Sequence, residues 1–151
     1  MKYWLLKSEP ESYSIDDLKK DKITIWDNIR NYRARNIMRD EMKAGDLFLF
    51  YHSMVKPSGI VGIGKILNTN IPDESALDKK SDYYDKKATK DKNPWVAIQV
   101  KFVSKFARMV TTDELKKDKK FKDMILFKIP RLSVQPVSKE HFEAIVKIST
   151  K

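Results

Sequence analysis

A continuous apolar run, Leu47-Phe48-Leu49-Phe50-Tyr51, has the length of a single β-strand. Side chains of a strand point alternately to its two faces, so a run without polar positions predicts a strand buried on both sides. On either side of it along the chain, Tyr3–Leu6 and Gly59–Leu67 are also apolar and of strand length. Trp95–Phe102 alternates between apolar and polar residues, which predicts a half-buried strand, and Arg131–Val137 is expected to be extended.

Helices are expected between these strands. Ser14, Thr111 and Ser138 each precede a segment with the residue types of a first helical turn, so they are predicted to be N-caps. A further helix is predicted from near Asn31 to Met42, because apolar residues recur there at helical spacing. Its buried face would consist of Ala34, Ile37, Met38 and Met42.

Short strands with scattered helices predict an α+β fold, in which a mixed sheet or small β-barrel has short helices outside it. We find neither an internal repeat nor a linker, so residues 1–151 are predicted to form one domain. The glycines of Gly59–Gly64 do not have phosphate-loop spacing, and glycines within a strand indicate a bulge, a bend or a close approach. The polar segment Thr69–Asn93 predicts a long loop, part of which packs down through Tyr83 and Tyr84.

The composition narrows the possible functions. The chain has no cysteine, which excludes disulfides, thiolate zinc sites and cysteine nucleophiles. Its formal net charge is +10, from 31 Lys and Arg against 21 Asp and Glu. That charge favours polyanionic partners, but a lysine-rich composition alone also produces it. Neither a signal peptide nor a membrane-spanning stretch is recognisable, so we expect a cytoplasmic protein without a membrane partner.

The segment Trp26–Asn36, with sequence WDNIRNYRARN, resembles neither protein core nor ordinary surface. A solvated helix is usually rich in Lys and Glu, whereas this segment combines aromatic rings, amides and guanidinium groups. Such groups can stack on a base, hydrogen-bond its edge and hold a phosphate. If the predicted helix forms, Tyr32, Arg35, Asn36 and Arg39 share one face. The segment therefore indicates a nucleic-acid or nucleotide site.

Catalytic and metal-binding residues are sparse. His52 and Ser53 are adjacent in a strand and so point to opposite faces, which prevents them from forming a nucleophile–base pair. A structural role for His52 and a role as a base both remain open. Glu9 and Asp27 could each accept a hydrogen bond from the exocyclic amine of cytosine or adenine, although Glu9 is equally suited to a solvated turn. We expect no catalytic residues, metal or cofactor.

Six motifs in order resemble the EVE domain family: Tyr3–Pro10, Trp26–Asn36, Leu49–Ser53, Val61–Ile63, Asp82–Asp85 with Pro94-Trp95, and Arg131–Val137. The resemblance covers nearly the whole chain. It implies a PUA-like fold, a small β-barrel with flanking short helices that is related to the YTH and ASCH domains. It also implies a non-enzymatic reader of modified bases that holds a flipped base in an aromatic-lined pocket. The chain departs from the family pattern at Asn28 and Arg33, where many relatives have Gly and Gln.

The resemblance also assigns residues to this pocket. Its wall would be Trp26, Asn31, Tyr32, Arg35 and Asn36, with Asp27 beside them; one rim would be Lys7, Ser8, Glu9 and Pro10; the floor would be Tyr51, His52 and Ser53; the far side would be Arg131, Leu132 and Ser133. Outside the pocket, contacts to the nucleic-acid backbone are expected from Arg30, Arg33 and Arg39.

Three functions from different classes follow. The first is binding, without chemistry, of a methylated or hydroxymethylated base in DNA or RNA. The second is an enzyme of the ASCH type that processes a nucleotide or RNA with His52 or Glu9 as a base. The third is an adaptor that binds protein and uses its basic surface only for solubility.

Overall fold

Six strands form one mixed sheet in the computed structural model, which describes residues 1–151. The order across the sheet is β2-β5-β4-β3-β1-β6. Strands β1 and β3 are parallel, and every other neighbouring pair is antiparallel. In chain order the strands are β1 (Tyr3–Ser8), β2 (Ile23–Trp26), β3 (Leu47–His52), β4 (Gly59–Pro72), β5 (Val96–Thr111) and β6 (Val134–Val137).

Helices cover both faces of this sheet. The three predicted N-caps are confirmed, because the side chains of Ser14, Thr111 and Ser138 accept the backbone N–H groups of Asp17, Glu114 and His141. No helix is long and apolar enough to cross a membrane. The α-helices are α1 (Ile15–Asp21), α2 (Tyr32–Asn36), α3 (Thr112–Lys117), α4 (Ile125–Lys128) and α5 (Lys139–Ile148), and single 3-10 turns occur at Glu74–Ala76 and Lys119–Phe121.

The helix predicted from Asn31 to Met42 has the predicted buried face but a different form. Asn31 is its N-cap, and after α2 the chain continues as a π-helical turn over Ile37–Glu41. The N–H of Met42 reaches the carbonyl of Ile37, five residues back. The wider π turn brings Met42 into the same apolar cluster as Ile37 and Met38.

The apolar run of β3 is buried on both faces, as predicted. Phe48 and Phe50 belong to one core cluster, beneath α1, α2 and the π turn. Leu49 and Tyr51 belong to a second cluster, beneath α3, α4 and α5. The central strands therefore separate two cores.

The α+β class is confirmed, but the sheet does not close into a barrel. Strands β2 and β6 are its two edges, each four residues long, and they do not pair with each other. Strands β4 and β5 extend beyond their predicted ends, to Pro72 and Thr111, because they pair with each other through several bulges. In such a long antiparallel pair, polar residues also find backbone hydrogen-bond partners. A hydrophobic pattern does not mark these residues as strand, so it predicts strand ends that are too early.

The glycines of β4 leave room for neighbouring side-chain and backbone atoms of the protein itself, not for a phosphate. A Cβ at Gly64 would lie 2.2 Å from Cζ of the Phe48 ring, and one at Gly62 would lie 2.5 Å from the carbonyl oxygen of Ser104. Both distances are too short for a side chain, so the structural interpretation of these glycines is confirmed.

We expect Gly64→Ala to lower the free energy of unfolding by about 1–3 kcal/mol, because the added methyl group overpacks the core against the Phe48 ring. Urea denaturation measures this change. In a Phe48→Leu background the same substitution should cost clearly less, since the ring is gone. Equal costs in the two backgrounds would show that the Phe48 contact does not constrain residue 64.

Candidate functional site

The gap between the two edges of the sheet contains a cavity of about 470 Å³. Residues from both edges face it, with β2 on one side and Ser133, directly before β6, on the other. It is therefore located where a closed barrel would have paired these strands. The lining residues are Lys7, Ser8, Glu9, Ser12, Tyr13, Thr24, Ile25, Trp26, Asp27, Asn28, Ile29, Tyr83 and Ser133.

Backbone and side-chain hydrogen bonds fix one wall of the cavity. The N–H of Lys7 donates to the carbonyl of Ser133 at 2.9 Å, which extends the β1–β6 ladder past the end of β6. The Ser8 hydroxyl donates to the carbonyl of Tyr13 at 2.7 Å. The end of β1, the loop before α1 and the start of β6 are thereby held together.

Aromatic rings form the base of the cavity. Trp26 is 8% exposed, and its ring makes edge contacts with Phe50 and Phe48, at centroid distances of 5.3 and 5.9 Å. Tyr13 meets Trp26 edge to face at 6.5 Å. The Tyr13 hydroxyl donates to Asp21 at 2.8 Å, and burial raises its pKa to about 12. These contacts hold both rings in fixed orientations.

Asp27 and Asn28 supply polar groups beside the rings. Burial, and then the negative charge of Asp73, raise the pKa of the Asp27 carboxyl. Asn28 has a left-handed backbone (φ +67°), a region open mainly to Gly and Asn. Its N–H donates to Oδ2 of Asp73 at 2.9 Å, whereas its side-chain Oδ1 is buried and has no hydrogen-bond partner.

Lys7 lines the cavity and carries a partly buried ammonium group. Its ammonium donates to the carbonyl of Pro130 and lies 5.2 Å from the centre of the Tyr51 ring. Burial lowers its pKa. No carboxylate forms an ion pair with Lys7, and the Tyr51 ring that its ammonium contacts belongs to the second core.

Tyr83 reaches the cavity from the long loop between β4 and β5. The guanidinium of Arg30 donates twice to the carbonyl of Tyr83, at 2.8 and 3.1 Å, and lies 5.7 Å from the centre of its ring. Arg30 also pairs with the buried carboxylate of Asp73 at 2.9 Å and donates to the Ser75 hydroxyl. Arg30 is thus the connection between the cavity and this loop.

The EVE domain family matches residues 2–148. The chain belongs to the EVE domain family. Human thymocyte nuclear protein 1 is 37% identical over 99% of this chain and 74% of its own length. The relationship to PUA-like folds expected from the family resemblance is confirmed, although the sheet of this chain is open rather than a closed barrel.

Solved structures agree with this EVE assignment. A hypothetical protein from Leishmania major superimposes with a TM-score of 0.96 at 48% identity, covering 99% of this chain and 95% of that one. The human THYN1 protein, solved in complex with 5-methylcytosine-containing DNA, has a TM-score of 0.94 at 36% identity and covers 100% and 99%. The prediction of a cytoplasmic location is wrong, because relatives at this level of identity carry the name of a nuclear protein.

Some of the residues predicted for the pocket line the cavity of this EVE domain, and the others lie elsewhere. Those that line the cavity are Lys7, Ser8, Glu9, Trp26, Asp27 and Ser133. Asn31, Tyr32, Arg35 and Asn36 lie elsewhere: Asn31 caps α2, the Tyr32 ring packs on Trp95 at 4.8 Å, and Arg35 donates to the carbonyl of Pro94 and to the Asn36 side chain. The helical face therefore packs toward the end of the long loop rather than into the cavity.

The predicted floor also lies outside the cavity. The Tyr51 hydroxyl is hydrogen-bonded to Ser58 and Thr112 in the second core. His52 Nε2 accepts the N–H of Ile15 at 3.1 Å, and burial lowers its pKa, so His52 serves as a structural acceptor at the start of α1. Among the other predicted residues, Pro10 and Ser53 are partly buried, Leu132 is in the first core, and Arg131 is exposed.

The three arginines predicted to contact the nucleic-acid backbone differ in their surroundings. The guanidinium of Arg30 is held within the protein by Asp73, Ser75 and Tyr83, which disfavours the predicted contact to a phosphate. Arg33 is exposed and makes no side-chain hydrogen bond, whereas Arg39 is exposed and paired with Asp40. A sequence pattern could not reveal the partners of Arg30, since Asp73 is 43 positions away.

We expect Arg30→Lys to lower the free energy of unfolding by about 1–3 kcal/mol, because an ammonium cannot reproduce the forked donor set that holds Asp73 and Tyr83. Urea denaturation measures the loss, and limited proteolysis should detect a more accessible loop around Tyr83. Arg33→Lys is the matched control and should change neither property. Equal behaviour of the two variants would contradict the assigned role of Arg30.

We expect Asp27→Asn to raise the free energy of unfolding at pH 7 by about 0.5 kcal/mol, a small value because Asp27 is partly solvated. The folded-state pKa of Asp27 lies above that of the unfolded chain, so the ionised carboxyl destabilises the folded protein above that pKa. The gain should disappear below about pH 3, where the carboxyl is protonated in both the folded and the unfolded state. Thermal denaturation at both pH values tests this, and a loss of stability at pH 7 would contradict it.

Proposed function

We propose that this EVE domain binds a modified base of the 5-methylcytosine class, in DNA, within the cavity and without catalysing a reaction. The observation that carries the proposal is a concave site with Trp26 at its base and polar groups from both edges of the sheet. Support comes from the human THYN1 protein, a member of the same family solved with 5-methylcytosine-containing DNA.

The size and lining of the cavity suit a single base. Its volume of about 470 Å³ is in the range of small-molecule pockets, about 300–1,000 Å³. Hydroxyls of Ser8 and Ser133, the Asp27 carboxyl and the Asn28 amide can address the edge of a base, while the aromatic rings contact its face. A base can reach this depth only after it leaves the helical stack.

Tyr83 is the proposed stacking ring. Extrusion of a base costs a few kcal/mol, and stacking on an aromatic ring returns about 1–3 kcal/mol. Trp26 is held by Phe48 and Phe50 and offers little free surface, whereas Tyr83 is 43% exposed at the mouth of the cavity. Tyr32, an aromatic residue of the predicted pocket wall, instead packs against Trp95, which favours Tyr83 as the stacking ring.

Positive charge supplies the remaining affinity. The net charge of +10 favours association with a polyanion. Lys7 lines the cavity and has no acidic partner, and its flexible side chain is proposed to turn toward a phosphate next to the bound base. Arg33 and Arg39 remain proposed contacts to the DNA backbone further from the cavity.

Binding without chemistry is favoured over the enzymatic alternative by the surroundings of His52. A general base needs a free nitrogen that faces its substrate. His52 Nε2 instead accepts a backbone N–H, and His52 does not line the cavity. Glu9 lines the cavity, but neither a nucleophile nor an orienting side chain is in hydrogen-bond contact with it. Its surroundings therefore favour a role in recognition over a role as a general base.

We expect Tyr83→Ala to weaken binding of a 5-methylcytosine oligonucleotide by about tenfold, because a stacked ring is worth about 1–3 kcal/mol per base. Fluorescence titration with otherwise identical 5-methylcytosine and cytosine oligonucleotides measures the effect. Tyr84→Ala is the matched control: its ring is similarly exposed, at 38%, but does not line the cavity, and the affinity should not change.

Two results would overturn the proposal: equal affinity of the wild-type protein for modified and unmodified oligonucleotides, or equal effects of the two tyrosine substitutions. The same titration with RNA of matching sequence tests the choice of DNA, and tighter binding to RNA would reverse it. Mass spectrometry of the recovered oligonucleotide should find it unaltered, whereas a changed mass would establish an enzyme.

A further inference from the structure

The side chain of Asn28 contains a buried acceptor with no donor. Its Oδ1 is shielded from solvent and has no hydrogen-bond partner, although Asn28 lines the cavity. A buried carbonyl without a donor costs about 1–3 kcal/mol, so such atoms are rare and need an explanation. Only one other buried side-chain atom, Oε1 of Gln135, is in the same state, and it lies away from the cavity.

The backbone keeps Asn28 where it is. Its φ of +67° is a left-handed conformation, and its N–H is held by the buried carboxylate of Asp73 at 2.9 Å. The preceding residue, Asp27, lines the same cavity and contributes carboxylate oxygens. Asp27 and Asn28, consecutive in the chain, therefore both line the cavity, and both side chains carry hydrogen-bond acceptors.

These acceptors matter because of a chemical difference between two bases that share a methyl group. Thymine and 5-methylcytosine both carry a methyl at C5, so a methyl pocket alone does not separate them. They differ at position 4, where 5-methylcytosine has an amine that donates and thymine has a carbonyl that accepts. An acceptor in the site pairs with the amine and opposes the carbonyl.

We infer that Asn28, together with Asp27, reads the 4-amino group of the bound base and thereby excludes thymine from the cavity. The inference rests on the proposed function and adds the feature that determines its specificity. A site built to pair with an amine discriminates strongly against an analogue that lacks it, because its own buried acceptor is then left unpaired.

The test uses three single-stranded DNA oligonucleotides that differ only at one central base, which is 5-methylcytosine, cytosine or thymine. Single strands remove differences in duplex stability from the comparison. We expect wild-type protein to bind the 5-methylcytosine strand at least about tenfold more tightly than the thymine strand, as one well-placed base contact provides. Asn28→Gly should bring these two affinities within about threefold of each other while the protein stays folded, since glycine accepts the same backbone.

Asn70→Gly is the matched control. Asn70 has a similar left-handed backbone (φ +57°), is exposed on β4 and does not line the cavity, so its substitution should leave discrimination at the wild-type level. The outcomes separate the two proposals. Preference for 5-methylcytosine over cytosine with equal binding of thymine would overturn this inference but leave the proposed function standing. Unchanged thymine discrimination in Asn28→Gly would overturn the role of Asn28, and equal binding of all three strands would overturn the proposed function itself.

Discussion

The buried carboxylate of Asp73 is the constraint on which the site depends. Its side chain is fully buried and accepts hydrogen bonds from the N–H of Asn28, the guanidinium of Arg30, and both the N–H and the hydroxyl of Ser75. Burial alone would raise the pKa of Asp73, but these donors outweigh it and hold the pKa below its usual value. One charge therefore joins the segment after β2 to the loop that carries Tyr83. Removal of any donor leaves a buried charge undercompensated, so the two walls of the cavity are energetically coupled.

The gap between the edges of the open sheet provides the space for the cavity, and the hydrogen bonds of Asp73 hold the residues around it in place. Closing six strands into a barrel would pair β2 with β6 and eliminate the gap that the cavity occupies. Instead both edge strands are only four residues long, and the protein packs its two cores on either side of β3. Short edges also limit unwanted pairing with other chains. The short edge strands β2 and β6 therefore leave the barrel open, which creates the candidate binding site without exposing a long strand edge.

Local signals in the sequence predict most of the fold and about half of the site. Caps such as Ser14 and the apolar run of β3 depend on near neighbours in the chain, so pattern and propensity are sufficient. Trp26 and Asp27 were recognised because their residue types are unusual together. Tyr13 and Tyr83 were missed because only tertiary contacts bring them to the cavity. The sheet's failure to close was equally invisible, since strand patterns do not specify which edges meet.

Arg30 and Asn28 show that residue type alone does not determine the role of a side chain. A guanidinium is equally suited to a phosphate and to a buried carboxylate, and only Asp73 decides between them. By contrast, Asn28 and Asp27 carry costs that no contact within the protein offsets: an acceptor without a donor, and a carboxyl whose pKa is raised by burial and by Asp73. Natural proteins retain local destabilisation of this kind mainly where function demands it. The unfavourable features, rather than the positive charges, therefore coincide with the part of the segment proposed to bind the base.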